Sequence, residues 1–115
     1  MQIPDLSNIP ELKPVEPGTY TIRIKKAKDT KASTGTQGIM LICDIVDVDD
    51  AETLFHTLWI SENSLRMTKD FIVALGLDPA DTSTEDFEGI EFEALLDIDT
   101  FEGRTKNILV RAIAN

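Results

Sequence analysis

The side chains best suited to chemistry in this sequence are aromatic rings and cations. Phe55 and Trp59 stand four residues apart in an alternating segment, which places both rings on one face if the segment is a strand. Phe101 lies close to Gly103, at an expected hairpin tip. Flat rings give bases a stacking surface and nearby cations neutralise phosphates, which is the chemistry of binding to single-stranded nucleic acid.

The basic residues cluster in two stretches of a chain whose net charge is −10. One cluster lies between Arg23 and Lys31, and the other lies near the C-terminal end of the sequence. A protein this acidic attracts phosphate weakly as a whole, so binding would depend on a locally basic surface. The expected nucleic-acid contacts are Arg23, Lys25, Lys28, Lys31, Met40, Phe55, Trp59, Phe101, Arg104 and Lys106.

These residues also have structural alternatives. A shift of one residue in the strand would turn the two rings at positions 55 and 59 into the core, because alternate residues face opposite sides. Exposed rings could instead form a dimer interface. The cations of the first strand could form cross-strand ion pairs with acids of the fourth, joining Arg23 and Lys25 to Glu91 and Glu93.

Patterns for catalysis and metal binding are scarce. His56 and Cys43 are the single histidine and the single cysteine, and one histidine in a strand is more often a bystander than a catalytic base. The sequence contains no phosphate-binding loop, dinucleotide motif or zinc-ligand spacing. The acids between Asp47 and Glu52 could hold a cation loosely, but without a full calcium-loop pattern a solvated turn is favoured. We therefore expect no enzymatic activity, cofactor or metal.

Five strands and one helix are expected to position the candidate residues. Periodicity predicts strands over residues 19–26, 39–48, 53–60, 89–99 and 105–113, and a helix over 61–75. Polar composition predicts loops over 28–38 and 78–88, and a hairpin loop over 100–104. This order predicts an all-β protein with one helix, a five-stranded OB-fold-like barrel closed on itself and plugged by the helix.

The apolar pattern also predicts which residues face the core. Inward positions are expected at Leu41, Cys43 and Ile45 in the second strand, at Leu54, Leu58 and Ile60 in the third, and at Phe92, Ala94, Leu96 and Ile98 in the fourth. The helix is expected to begin at an N-cap, Ser61, and to bury Leu65, Thr68, Phe71, Ile72 and Leu75. Gly76 fits the left-handed residue that ends a helix. His56 shares the inward phase of its strand, a conflict that a bulge could resolve.

Four of the five prolines lie at positions 4, 10, 14 and 17. Because proline lacks an amide donor, residues 1–16 are predicted to be an extended arm, followed by an OB-fold-like domain over 17–115. Apolar residues recur every three positions along this arm and could dock it onto the barrel or a neighbouring molecule: Ile3, Leu6, Ile9, Leu12 and Val15.

The expected compartment is the cytoplasm. The sequence has no apolar run long enough to cross a bilayer and no secretory signal, so no membrane contact is expected. Cys43 lies within an apolar run, which is typical of a buried thiol in a reducing environment.

Short motifs along residues 17–113 add a family resemblance. They are Pro17-Gly18-Thr19-Tyr20, Lys31-Ala32-Ser33-Thr34-Gly35, Asn63-Ser64, Ala74-Leu75-Gly76-Leu77, Phe87-Glu88-Gly89, Gly103-Arg104 and Asn107. In this order they resemble a family of small bacteriophage proteins related to phage single-stranded-DNA-binding proteins. The resemblance implies an OB-like fold and a role in coating single strands during phage replication or recombination, inside the host cytoplasm.

Two functions follow as expectations. The leading one is a sequence-tolerant single-stranded DNA-binding protein, with single-stranded DNA as its partner. The alternative is a protein-interaction or assembly module, in which the face of the second and third strands and the arm bury against a partner. A second copy of the chain and replication or recombination proteins are the partners considered for this alternative.

Overall fold

Five antiparallel strands form one sheet in the computed structural model, which describes residues 2–5 and 12–113. The strands are β1 (Gly18–Lys31), β2 (Gln37–Ile45), β3 (Leu54–Ile60), β4 (Glu91–Phe101) and β5 (Arg104–Ile113). The helix α1 (Leu65–Ala74) and a 3-10 helix (Thr84–Phe87) lie between β3 and β4 in the chain. The strand order across the sheet is β3-β2-β1-β4-β5. The predicted five strands and single α-helix are therefore confirmed.

The sheet is open, so the prediction of a closed barrel is wrong. β3 and β5 are its two edges, and they approach each other without a hydrogen-bonded ladder in the described part of the chain. We call the line along which β3 and β5 face each other the seam. At one end of the seam, α1 contacts both edge strands. Near the other end, the described end of the N-terminal arm lies between the β2–β3 loop and β5. The helix and the arm therefore contact the two edges at the places where the sheet does not close.

The arm is fastened at Lys13 and Val15. The Lys13 amide donates to the Asp50 carbonyl at 2.8 Å, and the Lys13 carbonyl accepts from the Glu52 amide at 3.0 Å. The Asn107 side chain accepts from the Val15 amide at 2.8 Å and donates to the Val15 carbonyl at 2.9 Å. Val15 is buried in the core as a result.

The rest of the arm does not follow its predicted apolar pattern as far as it is described. Ile3 and Leu12 are exposed. Leu6 and Ile9, which share the same spacing, lie outside the described residues. The arm therefore docks through its last apolar residue, while two earlier ones remain open to contact.

The core lies on the inner face of the sheet. Its apolar members include Ile22, Ile24, Leu41, Cys43, Ile45, Leu54, Leu58, Phe71, Phe87, Phe92, Ala94 and Leu96. The predicted phases of β2 and β4 are confirmed, with Ile98 only half-buried. Ile60 was expected to face the core but is exposed. It pairs with Gln37 at the very end of the β2–β3 ladder, where the sheet extends past the core residues.

The stretch 28–38 is not the predicted loop. The β1–β2 ladder continues to the pair Lys31 and Gln37, and only residues 32–36 form the turn, which the Ala32 amide closes on the Thr36 carbonyl at 2.8 Å. Polarity misled the prediction because this end of the hairpin extends beyond the core. Backbone pairing there needs no apolar alternation.

The start of the helix also differs from its prediction. Ser64 is the N-cap residue, and Ser61 instead donates its hydroxyl to the Ser64 hydroxyl at 2.9 Å. Leu65 is exposed, whereas Thr68 and Phe71 are buried as expected. The buried stripe of the helix therefore begins at Thr68, one turn later than the sequence pattern predicted.

Positive φ angles mark two turns that the sequence anticipates. Gly76 follows α1 with φ +82°, and the Leu77 amide bonds back to the Ile72 carbonyl at 3.1 Å, which completes the predicted helix end. The β4–β5 hairpin turns through Glu102 and Gly103 with φ 51° and 78°. A two-residue turn of this kind matches strand twist and extends both strands farther than predicted.

β1 contains a bulge between Ile24 and Lys26. The Gly89 amide donates to the Ile24 carbonyl at 2.7 Å, and the Glu88 carboxylate accepts from the Ala27 amide at 3.2 Å. The segment before β4, predicted as an acidic loop, therefore contacts β1 where its regular pairing is interrupted. Within the described ranges, no helix is long and apolar enough to cross a bilayer.

Candidate nucleic-acid interface

The outer face of β2 and β3 presents the two predicted rings. The register places Phe55 opposite Ile42, and Trp59 opposite Gly38, on the side of the sheet away from the core. Phe55 is 58% exposed. The strand phase that puts these rings outside is therefore confirmed, and the alternative that they belong to the core is wrong.

Trp59 is half-buried because its indole lies against the backbone of the neighbouring strand. A Cβ atom at Gly38 would come within 2.8 Å of the indole Cε3 atom and 3.1 Å of the Leu58 carbonyl. Residue 38 must therefore lack a side chain for the indole to occupy this position. The close contact fixes the ring on the outer face, about 13 Å along β3 from Phe55 at the usual strand rise.

The bulge in β1 brings two lysines to this face. Lys26 lies opposite Ile42 and Lys28 lies opposite Met40, so both flank the apolar residues of β2. Lys28 and Met40 were predicted contacts, whereas Lys26 was missed because strict alternation would have turned it inward. Two consecutive lysines inside an alternating strand were the sequence signal of a bulge.

Cations flank the opposite side of the rings across the seam. Phe55, Arg104, Lys106 and Ile108 line one groove of about 510 Å³ between the start of β3 and the start of β5. Phe101 is exposed at the hairpin tip and pairs with Arg104 in the ladder. The structure thus brings Phe55 of β3 together with Arg104 and Lys106 of β5, which are far away in sequence, while Phe101 lies at the hairpin tip outside the lining of this groove.

Three predicted cations are placed differently. Arg23 pairs with Glu91 at 2.9 Å, as its structural alternative proposed, and Lys25 pairs with Asp44 at 3.3 Å rather than with Glu93. Both are surface pairs with exposed partners. Lys31 shares the phase of Gln37, so it lies on the face opposite the rings.

The cysteine is buried and the histidine is half-buried. Burial, together with the neighbouring Asp44 charge, raises the pKa of the Cys43 thiol to about 12, so it stays protonated and inert near neutral pH. The His56 ring lies 5.3 Å from the Phe71 ring, and burial lowers its pKa. No group of three or more His, Cys, Asp or Glu side chains suited to a metal occurs in the described ranges.

Acidification is expected to destabilise the fold through His56. Its pKa is lowered on folding from an ordinary value of 6.5, so the unfolded chain takes up the proton first and stability falls as pH drops below about 6.5. The loss at pH 5.5 is expected to reach at most ~1.4 kcal/mol, the linkage limit for one pH unit. Urea midpoints at pH 7.5 and 5.5 measure it, and His56→Phe should flatten the difference. An equal loss in that variant would assign the effect to other groups.

Comparison with known proteins gives one family. A profile described as "Protein of unknown function (DUF669)" matches residues 4–105, which includes both rings, the bulged strand and the first residues of β5. A search of curated proteins gives no match.

Proposed function

Since the chain belongs to the DUF669 family, whose description states no function, we propose its function from its own geometry: it binds single-stranded DNA with little sequence preference and no enzymatic activity. The observation that carries this proposal is the outer face of β2 and β3. Exposed Phe55 and half-buried Trp59 lie between lysines of β1 and cations of β5.

Rings between two rows of cations suit a single strand better than a duplex. A duplex hides the faces of its bases, whereas a single strand can place bases on the rings and phosphates on either flank. Each stacked base contributes roughly 1–3 kcal/mol whatever its identity, which accounts for tolerance of sequence.

The flanking cations are available for phosphates despite the acidic total charge. Among the described residues, the ion pairs involve the cations Arg23 and Lys25. Four flanking cations take part in no ion pair there: Lys26, Lys28, Arg104 and Lys106. The groove beside Phe55 is lined by Arg104 and Lys106 and by one acid, Glu52, so its cations outnumber its acids. This local excess favours phosphate at short range, within the Debye length of about 8 Å at physiological salt.

We also propose that the fold is OB-fold-like. The strand order β3-β2-β1-β4-β5 with a helix after β3 is that of an OB-fold opened between β3 and β5. The proposal that the protein acts in phage replication or recombination, in the host cytoplasm, rests on the resemblance of its motifs.

Titration with oligo-dT at several salt concentrations tests the proposal. Quenching of Trp59 fluorescence is expected, and four unpaired cations predict a slope of log K against log salt near −3 for a single strand. Lys106→Gln should reduce the slope by about 0.7, whereas Arg23→Gln, which changes the net charge equally, should leave it unchanged. The absence of both fluorescence quenching and a gel shift at low salt would refute DNA binding.

An assembly module is the second candidate. It is supported by exposed Ile3 and Leu12 in the arm and by the apolar outer face of β2 and β3. Light scattering of the full chain and of a variant lacking residues 1–11, which keeps the contacts of Lys13 and Val15, separates the candidates. A stable oligomer that ignores oligonucleotides and dissociates on truncation would favour assembly over DNA binding.

A further inference from the structure

We propose that the cavity enclosed by β3, α1 and β5 holds one nucleobase of the bound strand, an inference that rests on the proposed DNA binding. The cavity measures about 250 Å³, and its lining residues come from both edge strands and from α1. Its apolar walls are Trp59, Met67, Phe71, Leu109 and Val110. Met67 is 72% exposed, which places it at the mouth.

The volume suits a single ring system. An apolar cavity of about 150 Å³ accommodates benzene, while sites for drug-sized ligands begin near 300 Å³. Proteins that bind an unstacked base hold it between aromatic and apolar side chains, with polar groups at its edge. Polar side chains are present in the lining at Thr57, Ser64 and Asp70.

Along the seam, cations outnumber the acids Glu52 and Asp70 that line the same groove and cavity, which favours a nucleotide over an apolar protein side chain. Arg104 and Lys106 line the groove beside Phe55, and Arg111 lines the cavity beside Trp59. These cations span roughly 20 Å of β5 at the usual rise per residue. A strand that follows the seam can therefore keep its phosphates on β5 and turn its bases toward β3 and the cavity.

Trp59 links the cavity to the interface already described. It pairs with Gly38 on the outer face and also lines the cavity. Thr68 of α1 donates its hydroxyl to the Trp59 carbonyl at 2.9 Å, which ties the helix to the strand at this point. A base in the cavity would thus contact the same indole that borders the stacking face.

Two charge substitutions on α1 test the inference. Met67→Glu places an acid at the cavity mouth, and Val73→Glu places the same acid on the same helix at an exposed position outside the lining. With the shortest oligo-dT that binds the wild type tightly, Met67→Glu should weaken affinity roughly five- to tenfold, and Val73→Glu less than twofold. Val110→Glu, on the opposite wall, should act like Met67→Glu, and circular dichroism checks that each variant folds.

Abasic scanning of the same oligonucleotide identifies the base. Removing the base at one position of the oligonucleotide should lower its affinity for the wild type. Removing the same base should cause no further loss of affinity for Met67→Glu. Equal affinities of Met67→Glu and Val73→Glu, with Phe55→Ala still impaired, would overturn the cavity site and leave DNA binding intact. If the wild type bound no oligonucleotide, both proposals would be refuted. A dimer that Met67→Glu dissociates without loss of DNA affinity would assign the cavity to a protein contact instead.

Discussion

Replacing Phe55 with alanine is expected to weaken the affinity for oligo-dT by about 5- to 150-fold, equivalent to ~1–3 kcal/mol of lost stacking. The ring lies 58% exposed on the outer face of β3, in the groove that Arg104 and Lys106 line. Because it lies outside the core, its loss should change the free energy of unfolding by less than about 0.5 kcal/mol. Fluorescence of Trp59 reports binding in the same sample.

Val73→Ala is the matched control for this change. Val73 is 51% exposed on α1 and lines neither the groove beside Phe55 nor the cavity beside Trp59. Its truncation removes exposed apolar surface without touching the proposed path of the strand. Equal affinities of the two variants would show that the outer face of β3 does not stack bases.

Replacing Phe87 with alanine is expected to lower the free energy of unfolding by ~3–5 kcal/mol. Phe87 is 0% exposed and belongs to the core cluster, although it lies in a 3-10 helix within a stretch predicted to be a loop. Removing the phenyl ring from a packed interior costs transfer free energy and leaves a cavity. This loss is a large fraction of the free energy of unfolding of a typical domain, which is ~5–15 kcal/mol.

Urea unfolding followed by circular dichroism measures this loss, and Phe101→Ala is its control. Phe101 is 68% exposed at the β4–β5 turn, so the same substitution there should cost less than about 0.5 kcal/mol. The slope of unfolding free energy against urea should stay constant in both variants. Similar midpoints for the two variants would mean that Phe87 does not anchor its segment in the core.

The alternating pattern predicted the five strands and favoured the faces that the structure shows for most of their residues. In β3, side chains two apart share a side of the sheet, so the pattern put Phe55 opposite to Leu54 and Leu58, and their burial then decided that Phe55 lies outside. The same rule assigned β2 and β4. Their boundaries shifted by a few residues, because the ends of a ladder depend on the partner strand rather than on local apolarity.

Local patterns failed where a distant segment sets the conformation. Lys26 joined the interface because Gly89 and Glu88, far along the chain, bond to β1 and stabilise a bulge there. Phe87 was missed because a single apolar residue among acids carries no periodic signal.

The sequence by itself determined the order of five strands and a helix, and it placed Phe55 and Trp59 on one shared side of β3. Which side that is remained open until the structure buried Leu54 and Leu58. Only the tertiary structure decided which cations share that side and that the sheet stays open between β3 and β5. Periodicity is a property of adjacent residues. The other outcomes depend on contacts between segments far apart in sequence. These contacts are the ion pair of Arg23 with Glu91, the pairing that bulges at Lys26, and the hydrogen bonds of Asn107 with Val15.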